Sequence, residues 1–186
     1  MFEELSPPYV TIVADPPWDY EGGCVALGPG HGDLRANQPL PYSGMTINEI
    51  ANMPVSRLVG RHARLFLWTT NRYLPDAFGI VRSWGFTYKQ TLVWHKIDTN
   101  LQGSVAPNST EFLLVCVKGS LGRTGVAKSS VVATPHSPSH SQKPPAMLDL
   151  IEQVSPGPYV ELFARQPRMG WDAWGLGYEG QVANAV

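Results

Sequence analysis

The chain has little that would tie it to an oxidising compartment or a membrane. It holds only two cysteines, Cys24 and Cys116, far apart and without metal-type spacing. Neither a disulfide scaffold nor a cysteine-built zinc site is expected, and a reduced, intracellular setting is the simplest reading. No apolar run approaches the ~20 residues that a membrane-spanning helix needs. The first residues, Met1-Phe2-Glu3-Glu4, are acidic where a secretory signal would be basic and then apolar. A cytoplasmic location is expected, and the nucleus is equally compatible with the missing signal. Charge of one sign is also lacking. The net charge is −1, which speaks against a general polyanion binder.

What is present is ordinary for a globular protein: 186 residues, 43% apolar and 16% charged. That is enough chain for one compact domain, expected to run over 1–186, with a real core. The charge is unevenly spread. Between Arg57 and Lys128 ten basic residues stand against three acidic ones (Asp76, Asp98, Glu111), and the rest of the chain is correspondingly acidic. Such a distribution is either a set of solvated faces or a stretch that meets phosphates.

Short, nearly all-apolar runs alternate with helical periodicity. Tyr9–Val13, Leu65–Thr69, Phe86–Trp94, Glu111–Val117 and Tyr159–Phe163 read as strands. Thr46-Ile47-Asn48-Glu49 fits a capping box. Leu74, Ala77, Phe78, Val81 and Trp84 follow helical spacing, with Gly85 as a stop. Pro144-Pro145 opens a helix carrying Met147, Leu148, Ile151 and Val154. Residues 129–142 and the tail after residue 165 show no period and read as irregular. The pattern predicts an α/β domain with a mostly parallel sheet and helices on both faces, and ligands beyond the carboxyl ends of the strands.

Asp15-Pro16-Pro17-Trp18 follows the first strand directly. Pro-Pro cannot continue a strand, so these residues form a loop at its carboxyl end. A turn is one reading, since Asp-Pro-Pro is common turn chemistry. The other is an amine-orienting site. The exocyclic N6 of adenine is a poor nucleophile because its lone pair is delocalised into the ring. A carboxylate and a backbone carbonyl can accept its two hydrogens and favour a pyramidal nitrogen. Proline's fixed φ holds such a carbonyl, and a neighbouring aromatic gives the base a stacking surface. Catalysis would then come from orientation and electrostatics.

Val13-Ala14-Asp15-Pro16-Pro17-Trp18-Asp19 resembles the catalytic motif of the MTA-seventy family, the β-class adenine-N6 methyltransferases. Leu40-Pro41-Tyr42, Leu65 to Thr70, Trp84-Gly85-Phe86, Val93 to Lys96, Glu111 to Val115, Lys143-Pro144, Ser155-Pro156-Gly157 and Glu161 to Arg165 follow in family order. The likeness covers about residues 10–180. It implies a circularly permuted Rossmann-like class I methyltransferase fold, with the catalytic loop first and the cofactor strand last. That order accounts for the lack of a Gly-x-Gly-x-x-Gly near the N-terminus.

The resemblance also implies S-adenosylmethionine as cofactor. Lys143 and Asp15 would meet its amino-acid end. Glu161, Phe163 and Arg165 would follow the last strand to its ribose and adenine, with Gly177 and Glu179 closing on the ribose. Asp15, Pro16, Pro17 and Trp18 would be catalytic. Trp18, Tyr42, Asn108 and Glu111 would face the target base, and Lys118, Arg123 and Lys128 the phosphates. Two departures stand out: only about eight residues precede the catalytic strand, and Tyr178 replaces the family's Asn. No metal is expected, since His136 and His140 have no cysteine or carboxylate cluster beside them. The partner is a nucleic acid, with DNA favoured because no RNA-binding module is appended. An RNA adenosine methyltransferase, a cytosine-N4 enzyme and an inactive nucleic-acid-binding homologue are the alternatives. A homodimer or a heterodimer with a related subunit is compatible with so small a domain. The adenine would have to be single-stranded or flipped out of a duplex.

Overall fold

The computed structural model describes residues 1–19, 44–97, 105–122, 124–135 and 143–175. Among the described residues seven strands and three α-helices follow one another: β1 (Tyr9–Ala14), α1 (Ile47–Ala51), a 3-10 turn at Val55–Leu58, β2 (Val59–Thr69), α2 (Leu74–Ser83), β3 (Thr87–Ile97), β4 (Thr110–Lys118), β5 (Val131–Pro135), α3 (Pro145–Val154), β6 (Tyr159–Leu162) and β7 (Trp171–Trp174). One sheet holds all seven strands in the order β5-β3-β4-β2-β1-β6-β7. Four of its pairings are parallel (β1 with β2, β1 with β6, β3 with β5, β6 with β7), and β4 runs antiparallel to both neighbours.

Period-2 alternation gives the sheet two apolar faces. Ile12, Ala14, Leu65, Leu67, Leu114, Cys116, Val160 and Leu162 pack with Ile50 of α1, with Ala77, Ile80 and Val81 of α2, and with Trp84. Trp84 stays satisfied in that core because its indole N–H donates to the Ile50 carbonyl at 2.9 Å. On the other face Val13, Phe66, Trp68, Leu92, Trp94 and Leu113 meet Met147 and Ile151 of α3. Each aliphatic side chain buried in this way contributes about 1.5–3 kcal/mol. The expected capping box closes α1: Glu49 N–H donates to the Thr46 hydroxyl, and Glu49 returns a carboxylate to Thr46 N–H at 2.7 Å.

Two segments expected to be irregular are strands. Residues 131–135 form β5 on the sheet edge beside β3, and residues 171–174 form β7 beside β6. Both are four or five residues long and lie at sheet edges, where alternation is too short to register as a pattern. β2 begins at Val59, six residues before the apolar run that announces it, because its first half carries Arg61, His62 and Arg64. The sheet is mostly parallel, as expected, and β4 is its antiparallel strand. β4 returns antiparallel to β3, paired from Thr87 opposite Val117 to His95 opposite Thr110.

Candidate active site

The carboxyl ends of β1, β2, β3 and β6 and the start of β4 meet at one pole of the sheet. Along the α3 face the alternation that supplies Trp94, Leu113 and Val13 to the core continues one step outward. It there delivers Lys96, Glu111 and Asp15, joined by Glu161 from β6, whose register partner is Val13. Lys143, two residues ahead of α3, reaches into this row. Its ammonium lies 2.7 Å from Asp15 Oδ2 and 3.3 Å from Glu111 Oε2, and Lys96 Nζ lies 2.5 Å from Glu111 Oε1. A continuous chain Lys96–Glu111–Lys143–Asp15 results, with all four side chains largely buried.

Two tryptophans form the floor of this chain. Lys143 Nζ sits 5.3 Å from the Trp68 ring and Lys96 Nζ 4.9 Å from the Trp94 ring. The two indoles meet edge to face at 6.3 Å. Trp94 is fixed in turn by its N–H bond to Thr134 of β5 at 2.8 Å. Ring faces under two buried ammonium groups stabilise positive charge where water is scarce.

Burial works against every ionised group here, and the pairing decides the outcome. For Glu111 desolvation would raise the pKa, but Lys143 and Lys96 outweigh it and hold the carboxyl below its usual range. For Lys143 desolvation would lower the pKa, and Asp15 and Glu111 outweigh it and raise it instead. Glu161 is different. Burial first, and then the neighbouring Asp15 charge, push its pKa up to about 7. Three carboxyls therefore share two ammonium groups, leaving the pole one negative charge in excess when all are ionised.

That excess has a measurable consequence. The unfolded Glu161 carboxyl ionises near 4.5 and the folded one near 7, so the native state holds its proton over that window. Its stabilising contribution is complete below the unfolded value and is lost as pH rises through the folded one. Glu161→Gln is expected to stabilise the protein by about 2–3 kcal/mol at pH 8 and by under about 1 kcal/mol at pH 5, read as urea midpoints. An equal gain at both pH values would show that Glu161 does not titrate in this window.

The loop after β1 is held from several sides. The Pro16 carbonyl accepts Trp18 N–H at 2.9 Å, and the Pro17 carbonyl accepts Met45 N–H at 2.7 Å. Each bond fixes the direction of a carbonyl and leaves its second lone pair. Trp18 is only 4% exposed, and one ring face is stacked on Tyr73 at 5.1 Å and 14°. The Tyr73 hydroxyl bonds to the Asp19 carbonyl. Trp18 thus packs the loop against the start of α2, and the open stacking surface expected of it is not what the structure presents.

Directly after β6, Phe163 adopts φ +64°, a left-handed conformation that costs energy for a bulky residue and is found mainly where function or packing demands it. The turn is locked by Ala164 N–H donating to the Trp174 carbonyl at 3.0 Å. A Cβ on Gly175 would collide with the Ala164 backbone. Trp174 meets Phe163 at 5.5 Å and Phe2 at 5.0 Å, both edge to face. An aromatic wall therefore lines the ends of β6 and β7, beside the charged row.

The structure brings Asp15, Pro16, Pro17, Glu111, Lys143, Glu161 and Phe163 to this one pole. Arg165 follows Phe163, and Asn108 precedes β4 at the same end. Tyr42, Arg123, Gly177 and Glu179 lie outside the described residues. Lys118 must be corrected. It pairs with Ala63 near the start of β2, seven residues along β4 from Glu111, which is about 23 Å at ~3.3 Å per residue. Because β4 is antiparallel, its last residues point away from the site. The segment leading from Lys118 to Lys128 likewise leaves from the opposite pole, with Thr124 bonded to Arg64 beside the C-terminus of α3. Lys96 is not among the site residues expected from the sequence, yet it is the ion-pair partner of Glu111. The signal was its position two residues after Trp94 on a face otherwise apolar.

Comparison with known proteins agrees with this geometry. The MT-A70 family profile matches residues 9–177. The type II methyltransferase M.MunI of Mycoplasma is 33% identical over 180 residues, covering 90% of this chain and 77% of that protein. The human N(6)-adenosine-methyltransferase catalytic subunit METTL3 is 30% identical over 169 residues, covering 84% of this chain and 26% of that protein. The human N(6)-adenine-specific methyltransferase METTL4 is 27% identical over 184 residues, 88% and 36% respectively. The chain thus spans most of the Mycoplasma protein and about a quarter to a third of the two human ones. An α/β sheet whose first strand ends in Asp-Pro-Pro-Trp, facing a buried lysine from across the chain, is matched along almost its whole length, and the chain belongs to the MT-A70 family of adenine-N6 methyltransferases, which use S-adenosylmethionine as methyl donor.

Proposed function

We propose that this chain methylates the N6 amine of adenine in DNA, with Asp15 and the Pro16–Pro17 carbonyls orienting the amine. The observation that carries the reading is the pairing of Asp15 with Lys143 in a buried row of alternating charge that has the Glu161 carboxyl beside it. S-adenosylmethionine carries a carboxylate, an ammonium and a sulfonium, so its net charge is positive. A pole with a buried ammonium for the carboxylate and surplus carboxyls for the two cations fits it. Lys143 would take the carboxylate and Asp15 the ammonium. Phe163, Trp174 and Phe2 offer the apolar edge that an adenine ring needs.

When bound, the cofactor supplies a methyl group already activated by positive sulfur. The protein's part is to present the amine. Asp15 Oδ2 is committed to Lys143, which leaves Oδ1 to accept one N6 hydrogen. A proline carbonyl accepts the other. Both acceptors are preset by packing, so little reorganisation is needed when the base arrives. The cluster on the α3 face lies under this point and excludes bulk water.

DNA is favoured over RNA by the likeness to M.MunI, a relative spanned over 77% of its length by this chain and named as a type II methyltransferase. The likeness to METTL4, named for adenine, points the same way. The test is transfer of a radiolabelled methyl group to duplex DNA, single-stranded DNA and RNA of one sequence. DNA is expected to be methylated at least about tenfold faster than RNA, a difference of ~1.4 kcal/mol in barrier. Equal or faster transfer to RNA would overturn the DNA assignment and favour an adenosine N6 enzyme of the METTL3 kind.

A further inference from the structure

Glu111 stands between two ammonium groups and divides its oxygens between them, Oε1 to Lys96 and Oε2 to Lys143. Lys143 in turn divides itself between Glu111 and Asp15, with the shorter contact to Asp15. The arrangement is balanced by Lys96. With that cation removed, both Glu111 oxygens would be available to the single ammonium of Lys143. Attraction between opposite charges is strong in a site screened by so little water. Lys143 would then be drawn along the row towards Glu111 and away from Asp15. Lys96 is itself held from below by the Trp94 ring, and that ring is held by Thr134 of β5. The edge strand therefore has a line of contact to the catalytic loop four side chains away.

We propose that Lys96 is a positioning residue of the methyl-transfer site: by occupying one oxygen of Glu111 it keeps Lys143 shared with Asp15 and so fixes the Asp15 carboxylate that receives the amine. This deepens, and rests on, the methyl-transfer reading above. The charged groups facing Glu111 are Lys96 from β3 and Lys143 ahead of α3, with Asp15 and Glu161 reaching it through Lys143. Lys96 makes Glu111 a stronger acid, and its loss makes Glu111 take up a proton at higher pH. A neutral Glu111 no longer holds Lys143 at its place in the row, so the Asp15 carboxylate loses the fixed position from which it receives the amine. Loss of Lys96 should therefore be felt in turnover, and most at the acid end of the pH profile.

The test compares Lys96→Met and Lys96→Arg with the wild-type chain, on whichever of DNA and RNA accepts the methyl group. Lys96→Met is expected to lower kcat about tenfold and to move the acid limb of kcat upward by about one pH unit. The cofactor KM, and the affinity for S-adenosylhomocysteine measured by calorimetry, should stay within about threefold. Lys96→Arg should restore the limb. Glu111→Gln provides a second background, in which adding Lys96→Met should change kcat less than about twofold. An unmoved acid limb, a loss of S-adenosylhomocysteine affinity as large as the loss of kcat, or a further tenfold loss in the Glu111→Gln background would each overturn the proposal. Absence of transfer by the wild-type chain to DNA and RNA alike would instead overturn the reading on which it rests.

Discussion

Asp15→Ala is expected to lower methyl transfer by about 10²–10³-fold, the usual cost of losing one preset charged or dipolar contact to the reacting group. The protein should stay folded. Lys143 keeps Glu111 at 3.3 Å when Asp15 is gone, so no buried ammonium is stranded. The loop keeps the Met45–Pro17 bond and the Trp18–Tyr73 stack. Affinity for S-adenosylhomocysteine should fall by under about tenfold, since Lys143 remains for its carboxylate. Asp15→Asn sharpens the result. An amide of the same shape still accepts one hydrogen bond, but it carries no charge and can present N–H where an acceptor is required. It should lose nearly as much activity as alanine. Steady-state kinetics alongside calorimetry separates the two effects. If asparagine restored most of the activity, shape alone would suffice and the role given to the carboxylate would be wrong.

Lys143→Met should be the most damaging substitution for stability as well as for binding. It removes the cation that Asp15 and Glu111 share and leaves three carboxyls on one buried pole, with Lys96 as the ammonium still ion-paired there and Arg168 acting on Glu161 from farther off. Breaking a buried pair by deleting one partner costs about 3–5 kcal/mol, because a charge is left uncompensated. The pH dependence follows from the signs. The raised pKa of folded Lys143 means that its contribution is present throughout the neutral range and is lost only as pH rises through the folded value. The lowered pKa of Glu111 gives stability above its unfolded value, lost as pH falls through the folded one. In Lys143→Met the vacated carboxyls can relieve their repulsion only by taking up protons. The deficit against wild type should therefore be largest near pH 8 and smaller at pH 5, measured as urea midpoints. A deficit that is constant with pH would mean that the lysine acts through packing rather than charge.

The core of the fold could be read from the residues. β1, β3, β4 and β6 and all three helices announce themselves through apolar runs, caps and prolines, since local patterning and tertiary burial agree there. β5 and β7 could not, being too short at sheet edges for alternation to register. The direction of β4 was also hidden. A strand's apolar pattern is the same in both directions, and only the polar, aperiodic sequence between β3 and β4 hints at the turn back. That one ambiguity misplaced Lys118 by the length of the strand.

The site itself was half legible. Asp15 and Lys143 were marked by motif and family order, 128 residues apart in the chain. The Lys96–Glu111 link was not, because a cation and a carboxylate on separate strands signal nothing until the register sets Glu111 opposite Trp94. Trp18 shows the opposite failing. Its chemistry suggested a stacking platform, and its surroundings gave it a packing partner in Tyr73.

The central claim is that the Asp15 loop directs a methyl group to adenine N6. Nucleoside mass spectrometry of DNA and RNA after incubation with methyl-labelled S-adenosylmethionine tests it most directly. The expected result is labelled N6-methyladenine from wild-type protein and almost none from Asp15→Ala. Label found only on cytosine N4, or N6-methyladenine formed undiminished by Asp15→Ala, would contradict it.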